Sequence, residues 1–129
     1  MPSLALVVDD SMLVRYTVCR FLEERGFTVE CASNGVEALE VLTRVRPDLI
    51  VTDIKMPAMS GSELISAIQA KPEMAAVPII IVAARSSNFD ESEMRADFTI
   101  YKDIDIDEQL TKALAALSRK SRQGKAAGK

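Results

Sequence analysis

The chain has no histidine at any of its 129 positions. Histidine-based triads, His-ligated zinc and internal imidazole acid–base chemistry are therefore excluded. Any reaction it carries must run on carboxylates, lysine and backbone groups, with or without a hard metal ion. Cysteine is nearly as scarce: Cys19 and Cys31 fall within apolar patterns, form no metal-ligand spacing, and read as free, small core residues. No run approaches the roughly 18 to 20 apolar residues that span a bilayer. Nor does a charged start with an apolar h-region precede a cleavage site, so the expectation is a cytoplasmic chain without membrane contact. The last eleven residues hold Arg119, Lys120, Arg122, Lys125 and Lys129 but no acid and no aromatic residue. Five cations without stacking groups are too few for a nucleic-acid surface. Residues 122–129 read instead as a basic, flexible tail, and the five cations together conceal a charge of −8 on residues 1–118 of a chain whose net is −3.

What is present is ordinary for one globular domain: 48% apolar and 27% charged residues, in a chain long enough for a single core. Apolar runs alternate with helical patterns. Leu4–Val8, Thr28–Ala32, Leu49–Thr52, Val77–Ala83 and Phe98–Tyr101 read as strands, the first and fourth as buried on both faces. Ser11 can cap a helix carrying Val14, Val18, Phe21 and Leu22 and ending at Gly26. Helices are predicted over Gly35–Val45, Ser62–Ala70 and Asp107 to about Lys120, with a meagre one near Glu91–Arg95. Five such alternations predict an α/β fold: a doubly wound, five-stranded parallel sheet with right-handed crossovers.

In open parallel sheets, ligands bind beyond the carboxyl ends of the strands, where strand order reverses. Asp9 and Asp10 follow the first strand, Asp53 the third, Ala83 and Ala84 close the fourth, and Lys102 follows the fifth. With the order 2-1-3-4-5, the three acids share one crevice. Carboxylates so close stay ionised together only with a cation between them. All-oxygen ligands suit Mg²⁺, which takes one or two carboxylates, waters and substrate phosphate. Acids, a hard metal and a lysine describe a phosphoryl site. Each residue also has a plainer role open to it. Asp9 and Asp10 could favour a helix N-terminus, Lys102 could be a surface lysine at a strand end, and Lys55 faces solvent or the rim of a metal site.

The segments "VVDDS" (7–11), "SNGVEAL" (33–39), "PDLIVTDIKMPAMSG" (47–61) and "PIIIVAA" (78–84), with Lys102, resemble the response-regulator receiver domain, the CheY-like phosphoacceptor family of flavodoxin-like fold. The resemblance covers about Leu4 to Leu117, within a receiver unit over 1–121. It implies that Asp53 accepts a phosphoryl group from a phosphohistidine on a sensor histidine kinase or histidine phosphotransfer protein. It further implies Mg²⁺ on Asp10, Asp53 and the Lys55 carbonyl, with Asp9 direct or through water, and Lys102 on the phosphoryl oxygens. Ala83 and Ala84 would form the strand end facing the phosphoryl group. The protein would act on itself only, so it is not an enzyme in the usual sense, and it would signal to a downstream protein target by contact. Pro57 and Gly61 read as a stiff loop with one permissive hinge.

Three departures lie in the second half. The family usually has Thr or Ser where this chain has Ala83, often Tyr or Phe where it has Thr99, and Pro where it has Asp103. A cis bond without proline costs about 2.5 to 4 kcal/mol, so Lys102–Asp103 is expected to be trans. The stretch from Ala83 to Lys102 is short by roughly three residues, about one helical turn, which predicts a reduced helix between the fourth and fifth strands. These departures keep a second reading open, a pseudo-receiver that binds partners without phosphorylation. A small phosphatase of the Asp-x-Asp type fails on spacing, because Ile54 and Lys55 follow Asp53. With no output domain recognisable within it, the expectation is a single-domain regulator or a domain excised from a larger protein.

Overall fold

The computed structural model describes residues 3–54, 59–83, 96–102 and 105–127, with side chains to Leu117. Lys55, Pro57, Ala84, Asp103, the Lys102–Asp103 peptide and the reduced helix near residues 91–95 lie outside the described residues. Ten elements follow in order: β1 (Ser3–Val8), α1 (Met12–Glu23), β2 (Phe27–Ala32), α2 (Gly35–Leu42), β3 (Leu49–Asp53), α3 (Gly61–Gln69), a short 3-10 turn (Pro72–Met74), β4 (Ile79–Ala83), β5 (Phe98–Tyr101) and α4 (Ile106–Ala127).

The five strands form one all-parallel sheet, as the alternation predicts, and their order β2-β1-β3-β4-β5 is the one the family resemblance implies. Every residue of β3 and β4 is buried, as expected where helices cover both faces of a parallel sheet. On one face Val18, Phe21 and Leu22 of α1 and Leu110 and Ala113 of α4 pack against Ala5, Val7, Val51, Ile80 and Val82. On the other, Ala38, Val41 and Leu42 of α2 and Leu64, Ile65 and Ile68 of α3 cover Leu6, Val8, Ile50, Ile79 and Ile81. The period-2 alternation of strand side chains divides the isoleucine-rich strands between these two layers.

Caps set the helix starts. Ser11 accepts from the Val14 amide at 3.3 Å, and Asn34 accepts from the Glu37 amide at 2.8 Å. Ser60 and Glu63 form a reciprocal capping box on α3. Gly26, with φ of +92°, provides the left-handed residue that turns the chain from α1 into β2.

Four sequence expectations are corrected. The helix α4 runs to Ala127, past the end expected near Lys120, so residues 122–127 of the anticipated tail are helical. The strand β4 starts at Ile79 rather than Val77, because the 3-10 turn and the chain after it occupy the approach. Cys31 is exposed rather than a core residue, since it lies on the edge strand β2. Gly61 is not a flexible hinge. Its φ lies outside the left-handed region, and the position is tied down by its amide donating to the Ile54 carbonyl at 2.8 Å.

Candidate functional site

Register brings the strand ends to one edge. Val8 pairs with Thr52, Asp53 with Val82, and Ala83 with Tyr101, so residues 9, 53 and 102 emerge side by side. Asp9 is only 2% exposed and Asp53 4%, whereas Asp10 is exposed. One oxygen from each of the three carboxylates lies within 4.8 Å of the others. Lys102 Nζ stands 2.9 Å from Asp53 Oδ2 and 3.4 Å from each oxygen of Asp9. The structure thus gathers Asp9, Asp10, Asp53 and Lys102.

Local bonds aim these groups. The Ser11 amide donates to Asp9 Oδ1 at 2.8 Å, and the Ile54 amide donates to Asp53 Oδ1 at 2.7 Å. Ala83 is completely buried and offers no hydroxyl; its carbonyl accepts the Lys102 amide at 2.9 Å and so anchors the lysine. Thr99 is half-buried on β5, paired with Ile81.

Burial dominates the electrostatics. It pushes Asp9 up to about 6; the Ser11 amide and Lys102 oppose this, while the charge of Asp53 adds to it. Burial also raises Asp53, with Lys102 and the Ile54 amide pulling back and the Asp10 carboxyl pushing further up. For Lys102, burial disfavours the charge, but its bonds and attraction to Asp53 and Asp9 outweigh that and raise it. Asp9 Oδ2 is buried without a hydrogen-bond donor, since Lys102 approaches it as a charge and is aligned to Oδ1. A buried carboxylate oxygen lacking a donor, in an all-oxygen cluster of three acids, fits a small hard cation such as Mg²⁺.

Two contributors had no readable signal in the sequence. Arg15 Nη1 donates to the Asp9 carbonyl at 2.7 Å. Gln109 binds both backbone polar groups of Tyr101, Oε1 accepting its amide at 3.0 Å and Nε2 donating to its carbonyl at 2.8 Å, and so fixes the end of β5 just before Lys102. Both act on backbone groups, which impose no pattern on side-chain spacing.

Residues 5–115 match the response regulator receiver domain, and the chain belongs to that family. It is 35% identical over 124 residues to the response regulator MprA of Mycobacterium sp. (strain KMS), covering 94% of this chain and 53% of that protein. The chain thus spans about half the length of the curated relatives it matches. The chemotaxis response regulator CheY4 of Vibrio cholerae superposes with a TM-score of 0.79 at 30% identity, covering 90% of this chain and 98% of that one. The response regulator TrrA of Thermotoga maritima, solved in complex with Mg²⁺-BeF, gives 0.74 at 33% identity, covering 88% and 97%. The fold is therefore the flavodoxin-like one of these receivers. Among the described residues no helix is long and apolar enough to cross a membrane.

Proposed function

We propose that this chain is a phosphorylatable receiver in which Asp53 takes a phosphoryl group from a phosphohistidine on a sensor kinase or phosphotransfer protein. The observation that carries the reading is Lys102 Nζ lying 2.9 Å from Asp53 Oδ2 beside the donor-less Asp9 oxygen. An Asp53 oxygen forms the bond to phosphorus as the phosphorus–nitrogen bond of the donor imidazole breaks. The imidazole leaves with the electron pair and takes up a proton. Lys102 holds the attacking carboxylate in the resting protein and afterwards neutralises the phosphoryl oxygens, in keeping with catalysis by positioning and charge. Asp10 and Asp53, with Asp9 and the Lys55 carbonyl, would hold Mg²⁺, which when bound supplies positive charge to the carboxylates and the phosphoryl oxygens. With no histidine among these 129 residues, the donor imidazole lies outside them.

The receiver unit spans 1–121 and the basic stretch 122–129 extends it; output is by contact with a downstream protein in the cytoplasm, without nucleic-acid or membrane binding. Acetyl phosphate with Mg²⁺ should add one phosphate by mass spectrometry, and Asp53→Ala should abolish it. Addition that survives Asp53→Ala would overturn the acceptor.

A pseudo-receiver is favoured by one observation, the fully buried Ala83 in place of a hydroxyl that could sense the phosphoryl group. Absence of any phosphate on folded wild-type protein would select that reading. With phosphate added, unchanged amide NMR shifts at Ala83, Thr99 and Lys102 would localise the defect to readout.

A further inference from the structure

Away from the acids, Cys19 on α1 and Cys31 on β2 bring their sulfurs to 2.8 Å. Both thiols are free, Cys19 half-buried and Cys31 exposed on the edge strand. Two cysteines packed side by side by chance need no common chemistry, but these two meet sulfur to sulfur and one of them opens to solvent. Their hydrogen bond lowers Cys31 to about 7 and raises Cys19, burial working upward on both and the charge of Arg15 helping Cys31. A thiolate is therefore available at Cys31 near neutral pH, with its resolving partner already in contact.

We propose that Cys19 and Cys31 form a reversible intramolecular disulfide that ties α1 to the edge strand β2. The oxidant class is a hydroperoxide. The Cys31 thiolate attacks the outer peroxide oxygen, the O–O bond breaks, and Cys31 becomes a sulfenic acid as an alcohol or water departs with a proton. Cys19 then loses its proton, its sulfur attacks the Cys31 sulfur, and the hydroxyl leaves as water. The two sulfurs lose two electrons and the peroxide gains them. A dithiol reductant reverses the step by exchange through a mixed disulfide.

The bridge would join the two elements that hold Asp9. Arg15 of α1 donates to the Asp9 carbonyl, and the Asp9 amide donates at 3.1 Å to the carbonyl of Ala32, the residue after Cys31. A redox-dependent cross-link there is a modification of the receiver frame, independent of whether Asp53 is phosphorylated.

The test treats the whole reduced chain with hydrogen peroxide, blocks remaining thiols and digests with trypsin, which cuts after Arg15, Arg20, Arg25 and Arg44. The expected product is a cross-linked pair of the peptides 16–20 and 26–44, lighter than their sum by two hydrogens and released by dithiothreitol. Cys19→Ala and Cys31→Ser should each remove it, with far-ultraviolet circular dichroism confirming that both variants fold. Wild-type peptides that are oxidised or alkylated separately, or a disulfide-linked dimer through Cys31, would overturn the proposal whatever the variants do.

Discussion

Asp9 sits in an environment that its charge disfavours. It is a carboxylate with 2% exposure, one oxygen lacking a donor, and a second buried acid nearby. Its pKa rises from 3.8 to about 6, so between those values the folded chain binds more protons than the unfolded one. Stability linked to Asp9 is therefore greatest at acid pH and is lost as pH climbs from about 4 to 6. Asp53, also raised, adds to the same slope. Lys102 acts at the other end: its stabilisation is complete below 10.5 and is lost as pH rises through its elevated value. Metal-free urea melts between pH 4 and 7 should show this fall. Asp9→Asn, which keeps an oxygen for the Ser11 amide, should flatten the slope and raise neutral-pH stability by about 1 kcal/mol, within the range of stabilising charge substitutions. A metal-free curve that rises from pH 4 to 7 would refute this account. The convergence of residues 9, 10, 53 and 102 could be read from sequence because each lies at or just past the carboxyl end of a strand, once the strand order implied by the resemblance is adopted. Arg15 and Gln109 could not, since they serve backbone atoms.

At the scale of elements, the start of α3 lies in close approach to the end of β3. A Cβ on Gly61 would collide with the Asp53 carbonyl oxygen and lie 2.8 Å from Ile54 Cα, both backbone atoms that cannot rotate away. Gly35 presents the contrasting case, because there the obstruction is the Met59 side chain at 2.7 Å, which can move. Gly61→Ala should therefore cost about 1 to 3 kcal/mol, the range for overpacking, and should slow phosphorylation of Asp53 by moving its backbone. Gly35→Ala should cost less. Paired urea melts and acetyl phosphate labelling would check both, and a Gly61→Ala protein with wild-type stability and labelling would contradict the packing argument. The sequence pattern could locate that glycine but not say why it is needed, because steric closeness between residues 53 and 61 exists only once the turn is built. The same limit applies to the end of α4. Residues after Lys120 are polar and small, so no apolar periodicity marked helix there, although the helix continues to Ala127. Strands were easier: β3 and β4 are buried throughout, and continuous apolar runs survive any tertiary context.

For the whole molecule, the strand order concentrates negative charge at the carboxyl ends of strands built mostly of apolar residues. Asp53 lies on a strand that neighbours that of Asp9 and Asp10 only through the crossover, so its repulsion with them is felt by the folded chain alone. A divalent cation that relieves it must bind the native state in preference to the unfolded one. Linkage then requires Mg²⁺ to stabilise folding by about 2.7 kcal/mol at a hundred times its dissociation constant. For a domain of this size that corresponds to a rise of roughly 8 to 12 °C in the melting midpoint. Simple ionic strength also weakens charge repulsion, with a Debye length near 10 Å at 0.1 M, so the control is NaCl at matched ionic strength. The effect should saturate with Mg²⁺, reverse with chelator, and shrink in Asp10→Asn and Asp53→Ala. It should also grow as pH rises through about 6, where the ion no longer competes with a proton on Asp9. Calorimetric scans showing the same midpoint in MgCl₂ and in matched NaCl would mean that the cluster holds no ion, and the Mg²⁺-dependent half of the proposed chemistry would fall with it.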